Sequence, residues 1–160
     1  MPAVRATPAL NTCFRVAVGD HQLTIDQPAT AGGDDQGPTP LQLLAASLVA
    51  CTAHYAGSYL DRHGLPRRGL VVEGDFTMAE DKPPRLAAMS VTITPPLGLS
   101  ARRQAGLLAV ASHCTVHNTL RQPPAVHIGM APRGPNDRAG GHHPTVGAAI
   151  EPRAQAVSPC

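Results

Sequence analysis

Two short stretches place a thiol and an imidazole three positions apart: CTAH, Cys51 to His54, and CTVH, Cys114 to His117. Three chemistries fit such a pair of pairs. Residues at i and i+3 on a helix share a face, so the two pairs can furnish four ligands for a tetrahedral zinc ion. In a redox cycle, one thiolate attacks an electrophile such as a peroxide O–O bond and becomes a sulfenic acid. A second thiol then condenses with it to a disulfide. In the plainest case the cysteines are small buried hydrophobes, and the histidines are hydrogen-bonded polar residues at helix edges.

Zinc is the least favoured of the three, because structural zinc sites sit on short knuckles in domains that need the metal to fold. Cys51 instead lies inside a long apolar helix, so no metal or cofactor is expected. In the redox case, Cys51 is shielded mid-helix and needs a positive partner to ionise. Cys114 falls where one helix ends and TVHNTL starts another short one, whose unpaired N–H groups favour a thiolate. His54 and His117, each one turn along from a cysteine, can help hold it ionised.

The elements that position these groups follow from patterning. Phe14, Val16 and Val18, then Leu23 and Ile25, alternate around Gly19-Asp20, the chemistry of a two-residue hairpin turn. Gln27 to Thr39 is polar and Gly-rich and reads as a flexible surface loop; Gly32-Gly33 has no P-loop Lys after it. Thr39, Pro40 and Gln42 form a helix-opening cap, and the helix runs from Leu41 to about Arg62 before Gly64 and Pro66. It is apolar nearly all round, which in a chain this short calls for sheet on one side and another subunit on the other. LVVEGDFTM and the stretch through Met89, Val91 and Ile93 are half-buried strands, and Ser100 caps a second helix ending near Cys114. PAVHIGM reads as a final strand. The order is ββ-α-ββ-α-β, an α+β plan with antiparallel sheet. Residues 1–130 form the domain, and 131–160, rich in Pro, Gly, His and Arg, a disordered tail.

Bulk properties narrow the partners. The 160 residues are 42% hydrophobic but only 2% aromatic, with no Trp, so Ala, Leu and Val must build the core. A net charge of +2 without a basic run argues against nucleic acid. Four cysteines are too few for a secreted disulfide scaffold, and MPAVRATPAL lacks the apolar centre of a signal peptide. The least polar run, Leu43 to Ala53, is too short to span a membrane. These features point to a cytoplasmic protein without a membrane partner.

GPTPLQLLAASLVACT, followed some sixty residues later by CTVHNTL and a Pro-rich lead into a last strand, resembles the OsmC/Ohr family. The similarity runs from about His21 to Met130, and DQPATAGGDDQGPTP looks like the branch described as OsmC-like. The resemblance implies a thiol-dependent hydroperoxide reductase in oxidative stress defence. It also implies an intertwined homodimer, with sheet wrapped around long central helices and active sites at the subunit interface. By position, Cys51 matches the peroxide-attacking cysteine and Cys114 the resolving one. Organic hydroperoxides would be the substrates and a lipoyl-type dithiol the reductant. Two positions depart from the family pattern. Gln42 stands where a Glu orients a thiolate-stabilising Arg, and the loop from Gln27 to Thr39 holds no Arg; Arg15 is the nearest upstream candidate. A neutral amide cannot pair with a guanidinium as a carboxylate does. The alternative is therefore a non-catalytic OsmC-like protein that binds an apolar small molecule in the interface pocket. Cys13 and Cys160 have no counterpart in the family scheme.

Overall fold

The computed structural model describes residues 4–132. Strands β1 (Val4–Pro8), β2 (Phe14–Val18) and β3 (His21–Ile25) form an antiparallel sheet in the order β1-β2-β3. The hairpin is the expected one: Val18 pairs with His21 across Gly19-Asp20, with Gly19 at φ 56°. Strand β1 was not expected, because VRATP is short, its alternation rests on one branched apolar residue, Val4, and it ends in proline. Such a sequence is tolerated at a sheet edge, where an N–H need not be paired.

The long helix α1 (Pro40–Arg62) opens on the predicted capping box: the Thr39 side chain accepts from the Gln42 N–H, and the Gln42 side chain accepts from the Thr39 N–H at 2.7 Å. It closes on a Schellman motif, in which Leu65 N–H donates to the Leu60 carbonyl and Gly64 N–H to that of Asp61. Gly64 sits at φ 63°, where an L side chain is strained. Strands β4 (Val71–Met78) and β5 (Leu86–Thr94) pair antiparallel, with Val72 opposite Ile93 and Phe76 opposite Met89. α1 crosses β4 so closely at Gly74 that a Cβ there would lie 2.5 Å from Val49 Cγ2. Helix α2 (Ala101–Ala111), capped by Ser100, is followed by a short α3 (Thr115–Arg121).

The core is where α1 meets α2: Ala56, Tyr59 and Leu60 pack with Leu107 and Ala111, flanked by Leu65, Leu70, Ile93, Leu99 and Val110. α1 has the length and composition of a membrane span, but its buried residues (Ala45, Leu48, Thr52, Ala56, Gly57, Tyr59 and Leu60) mark it as a core helix. The described residues do not cover it all round. Ala46, Ser47, Ala50 and His54 are exposed, and Leu44 is 37% exposed.

Two further expectations change. The Gly-rich loop is clasped: the buried Asp26 carboxylate accepts from the Thr12 hydroxyl and from the backbone N–H groups of Gln27, Asp34 and Gln36, at 2.7 to 3.2 Å. PAVHIGM forms no strand. Val126, Ile128 and Met130 alternate as a strand would, but are 77%, 96% and 99% exposed. A strand needs a neighbour's N–H and C=O groups, and the described chain offers this segment none. Among the described residues, all the helices and strands precede Pro124, where the first compact unit ends. Of the tail expected from residue 131, the part from 133 on, with Cys160, lies outside the described residues.

Candidate functional site

The two C-T-x-H motifs come together where α3 docks on α1, but through their threonines. Thr52 Oγ1 lies 3.7 Å from Cys114 Sγ, and the Tyr55 hydroxyl lies 2.9 Å from Thr115 Oγ1. Three residues apart, Thr52 and Tyr55 lie on neighbouring parts of the α1 surface and so receive consecutive residues of the α3 cap.

Cys114 is the N-cap of α3, and its sulfur accepts from the His117 backbone N–H at 3.4 Å. It is completely buried. Cap positions favour Ser, Thr, Asp or Asn, whose oxygens accept more strongly than sulfur, so a thiol here is a costly choice for capping alone. Cys51 is half-buried in mid-α1, and its thiol is free. Burial thus runs opposite to expectation: the mid-helix thiol is the accessible one, and the thiol at the helix boundary is enclosed.

The supporting residues separate. Gln42 is nine residues before Cys51, which at 100° per residue puts it on the opposite side of α1, about 14 Å away along the axis. There it lines a cleft of ≈ 680 Å³ between α1 and β4, with Val49, Gly74 and Phe76. Arg15 is exposed on β2 and lines a cleft of ≈ 690 Å³ with Cys13, Thr24 and Asp34, within the three-stranded sheet and its loop. His54 is exposed, its ring edge-on to Tyr55 at 5.8 Å. His117 remains with the motif contact, its Nδ1 bonded to the Ser112 carbonyl oxygen. Among the described residues, no three His, Cys, Asp or Glu side chains converge as metal ligands would.

Beside the motif contact, two clefts share Leu48, Met89 and His117. The smaller, ≈ 210 Å³, adds Thr52, Val91, Ile93 and Leu108; the larger, ≈ 630 Å³, adds Leu41, Leu44, Arg85 and Leu120. Both are mainly apolar. Arg85 is the cation that sequence reasoning missed, hidden in the EDKPPRL turn, where it pairs with Asp81 at 2.7 Å. Thr52 was missed too, although the repeated threonine of C-T-x-H was its signal.

A family model described as OsmC-like protein matches residues 32–129. The chain belongs to the OsmC-like family. Solved structures share its fold. A Psychrobacter arcticus protein assigned to the osmotic stress induced and detoxification response is 21% identical, with 74% of this chain and 88% of that one covered and a TM-score of 0.68. An OsmC-like protein from Mycoplasma pneumoniae is 17% identical, with coverages of 76% and 87% and a TM-score of 0.65. The organic hydroperoxide resistance protein OhrB of Bacillus subtilis is 18% identical, with coverages of 77% and 92% and a TM-score of 0.58. No curated protein matches the sequence. Membership covers both C-T-x-H motifs and the helix between the caps.

Proposed function

We propose that this OsmC-like protein reduces organic hydroperoxides with Cys51 as nucleophile and Cys114 as resolving thiol, in defence against oxidative stress. The Cys51 thiolate attacks the terminal peroxide oxygen. The O–O bond breaks, and the sulfur becomes a sulfenic acid as the alcohol leaves. The Cys114 thiol condenses with it, releasing water and forming a disulfide, which a lipoyl-type dithiol reduces by exchange. What carries this reading is the Thr52–Cys114 contact, because it holds the resolving thiol against the residue next to Cys51. The accessible thiol suits the first step, and the enclosed one is protected from over-oxidation until the sulfenic acid forms.

The working unit is a homodimer. Within one chain the β1–β3 sheet leaves Val4, Phe14 and Leu23 exposed, and PAVHIGM has strand alternation without a partner. A second copy supplies the missing cover and the missing strand neighbour, in keeping with sheets built by both chains.

Stopped-flow oxidation with cumene hydroperoxide or a fatty-acid hydroperoxide, followed by mass analysis of the thiols, tests the assignment. Loss of the fast phase in Cys51→Ser is expected; a variant as fast as the parent removes Cys51 from the role. A second reading, binding of an apolar small molecule in the interface pocket, is favoured by Gln42. Its side chain is committed to the capping box on the far side of α1 and orients no arginine beside Cys51. Inert thiols together with a co-purifying lipid decide for that reading.

A further inference from the structure

Cleaving a hydroperoxide expels an alkoxide, a strong base that needs a proton as it leaves. We propose that His117 supplies this proton, an inference that rests on the hydroperoxide reading above. Its Nδ1 bonds the Ser112 carbonyl. A carbonyl can only accept, so Nδ1 keeps its hydrogen in both charge states and Nε2 alone exchanges a proton. Nε2 has no hydrogen-bond partner among the described residues, and no unpaired side-chain nitrogen or oxygen is sealed from solvent there. It is therefore open at the junction of the two clefts.

The other polar groups of those clefts cannot substitute. A guanidinium is a poor proton donor, and that of Arg85 is paired with Asp81. Ser112 donates its hydroxyl to the Leu108 carbonyl, and Thr52 faces Cys114. Cys51 lies on the same face of α1 as the leucines that line the larger cleft. Leu41, Leu44 and Leu48 of α1 line the larger cleft, and Cys51 continues that stripe at i+3 from Leu48 and i+7 from Leu44. The next residue on the stripe, Tyr55, is bonded to Thr115 of α3, the helix that carries His117. An organic hydroperoxide with its apolar body among the leucines thus presents its peroxide end between thiol and imidazole. As the S–O bond forms and the O–O bond breaks, the imidazolium passes its Nε2 proton to the departing alkoxide. The products are sulfenic acid, alcohol and neutral imidazole, which water reprotonates.

Leaving-group chemistry tests the step. Cumene hydroperoxide expels an alkoxide, whereas peracetic acid expels acetate, which needs no proton. In His117→Asn the amide nitrogen can still donate to the Ser112 carbonyl but transfers no proton. Single-turnover oxidation of the full chain is expected to slow by about 10²-fold or more with cumene hydroperoxide while staying within about threefold of the parent with peracetic acid. Equal slowing with both oxidants, or no slowing with either, overturns the role of His117 and leaves the hydroperoxide reading standing. A parent chain inert toward cumene hydroperoxide overturns both.

Discussion

The two C-T-x-H motifs have the same three defining residues and opposite structural lives. In the first, Cys51 sits mid-helix and half-buried, and His54 is exposed. In the second, Cys114 ends one helical stretch and caps the next, enclosed between Thr52 and its own α3 backbone, while His117 turns inward to bond Ser112. Position relative to helix ends, rather than local sequence, decides which sulfur meets solvent. The comparison teaches that accessibility and hydrogen bonding are divided between the motifs. One thiol is left partly open, and the other is enclosed.

The largest expected effect breaks this division directly. Cys51→Ser should lower the rate of peroxide consumption by about 10³-fold or more, whereas Cys114→Ser should keep the first turnover and lose the later ones. Stopped-flow traces with one and with many equivalents of hydroperoxide separate the two. The opposite pattern would reverse the roles assigned to the motifs.

Thr52→Val sharpens the comparison by freeing the enclosed thiol. A hydrogen bond with a net worth of about 1 kcal/mol corresponds to about fivefold faster labelling of Cys114 by a thiol reagent in the native state, with Cys51 labelling unchanged. Peptide mapping after timed quenching reads both sites, and unchanged Cys114 labelling would mean that the Thr52 contact does not restrain it.

Tyr55→Phe removes the second link between α1 and α3, which is exposed to solvent. Its cost should be smaller, about 0.5 kcal/mol, visible as a lowered denaturant midpoint with peroxide turnover retained.

The smallest effect on the motifs should come from Asp26, which serves as a control. The Thr12 hydroxyl, against some opposition from burial, and the Gln36, Gln27 and Asp34 N–H groups hold its carboxyl pKa down from 3.8 to about 2. A carboxylate with a depressed folded-state pKa contributes its full stability above the unfolded value and loses it as pH falls through the folded one. Amide exchange at Asp34 and Gln36, corrected for the intrinsic pH dependence of exchange, should therefore be insensitive to pH above about 4 and accelerate as pH falls toward 2. Cys114 protection should not change in step with it.

Much of the fold was legible in the sequence because local chemistry dictates it. Thr39, Pro40 and Gln42 announce the start of α1, Gly64 its end, and Gly19-Asp20 the hairpin. The cysteines were legible as candidates, but their environments were not, because the partner of Cys114 is 62 residues away in sequence. The clasp of Asp26 escaped because it gathers backbone N–H groups that carry no sequence signature. The separation of Gln42 from Cys51 could have been read, since nine residues turn a helix by two and a half revolutions. The shared family motif drew them together instead. PAVHIGM shows the remaining limit: alternation announces a strand, while pairing depends on a neighbour that the described residues do not supply.

Peptide mapping of the full-length chain after one equivalent of an organic hydroperoxide measures the division of labour most directly. The account predicts a single Cys51–Cys114 disulfide within one chain, reversed by a dithiol, with Cys13 and Cys160 still reduced. Thiols left untouched, or oxidation directed to Cys13 or Cys160 with Cys51 intact, would contradict it.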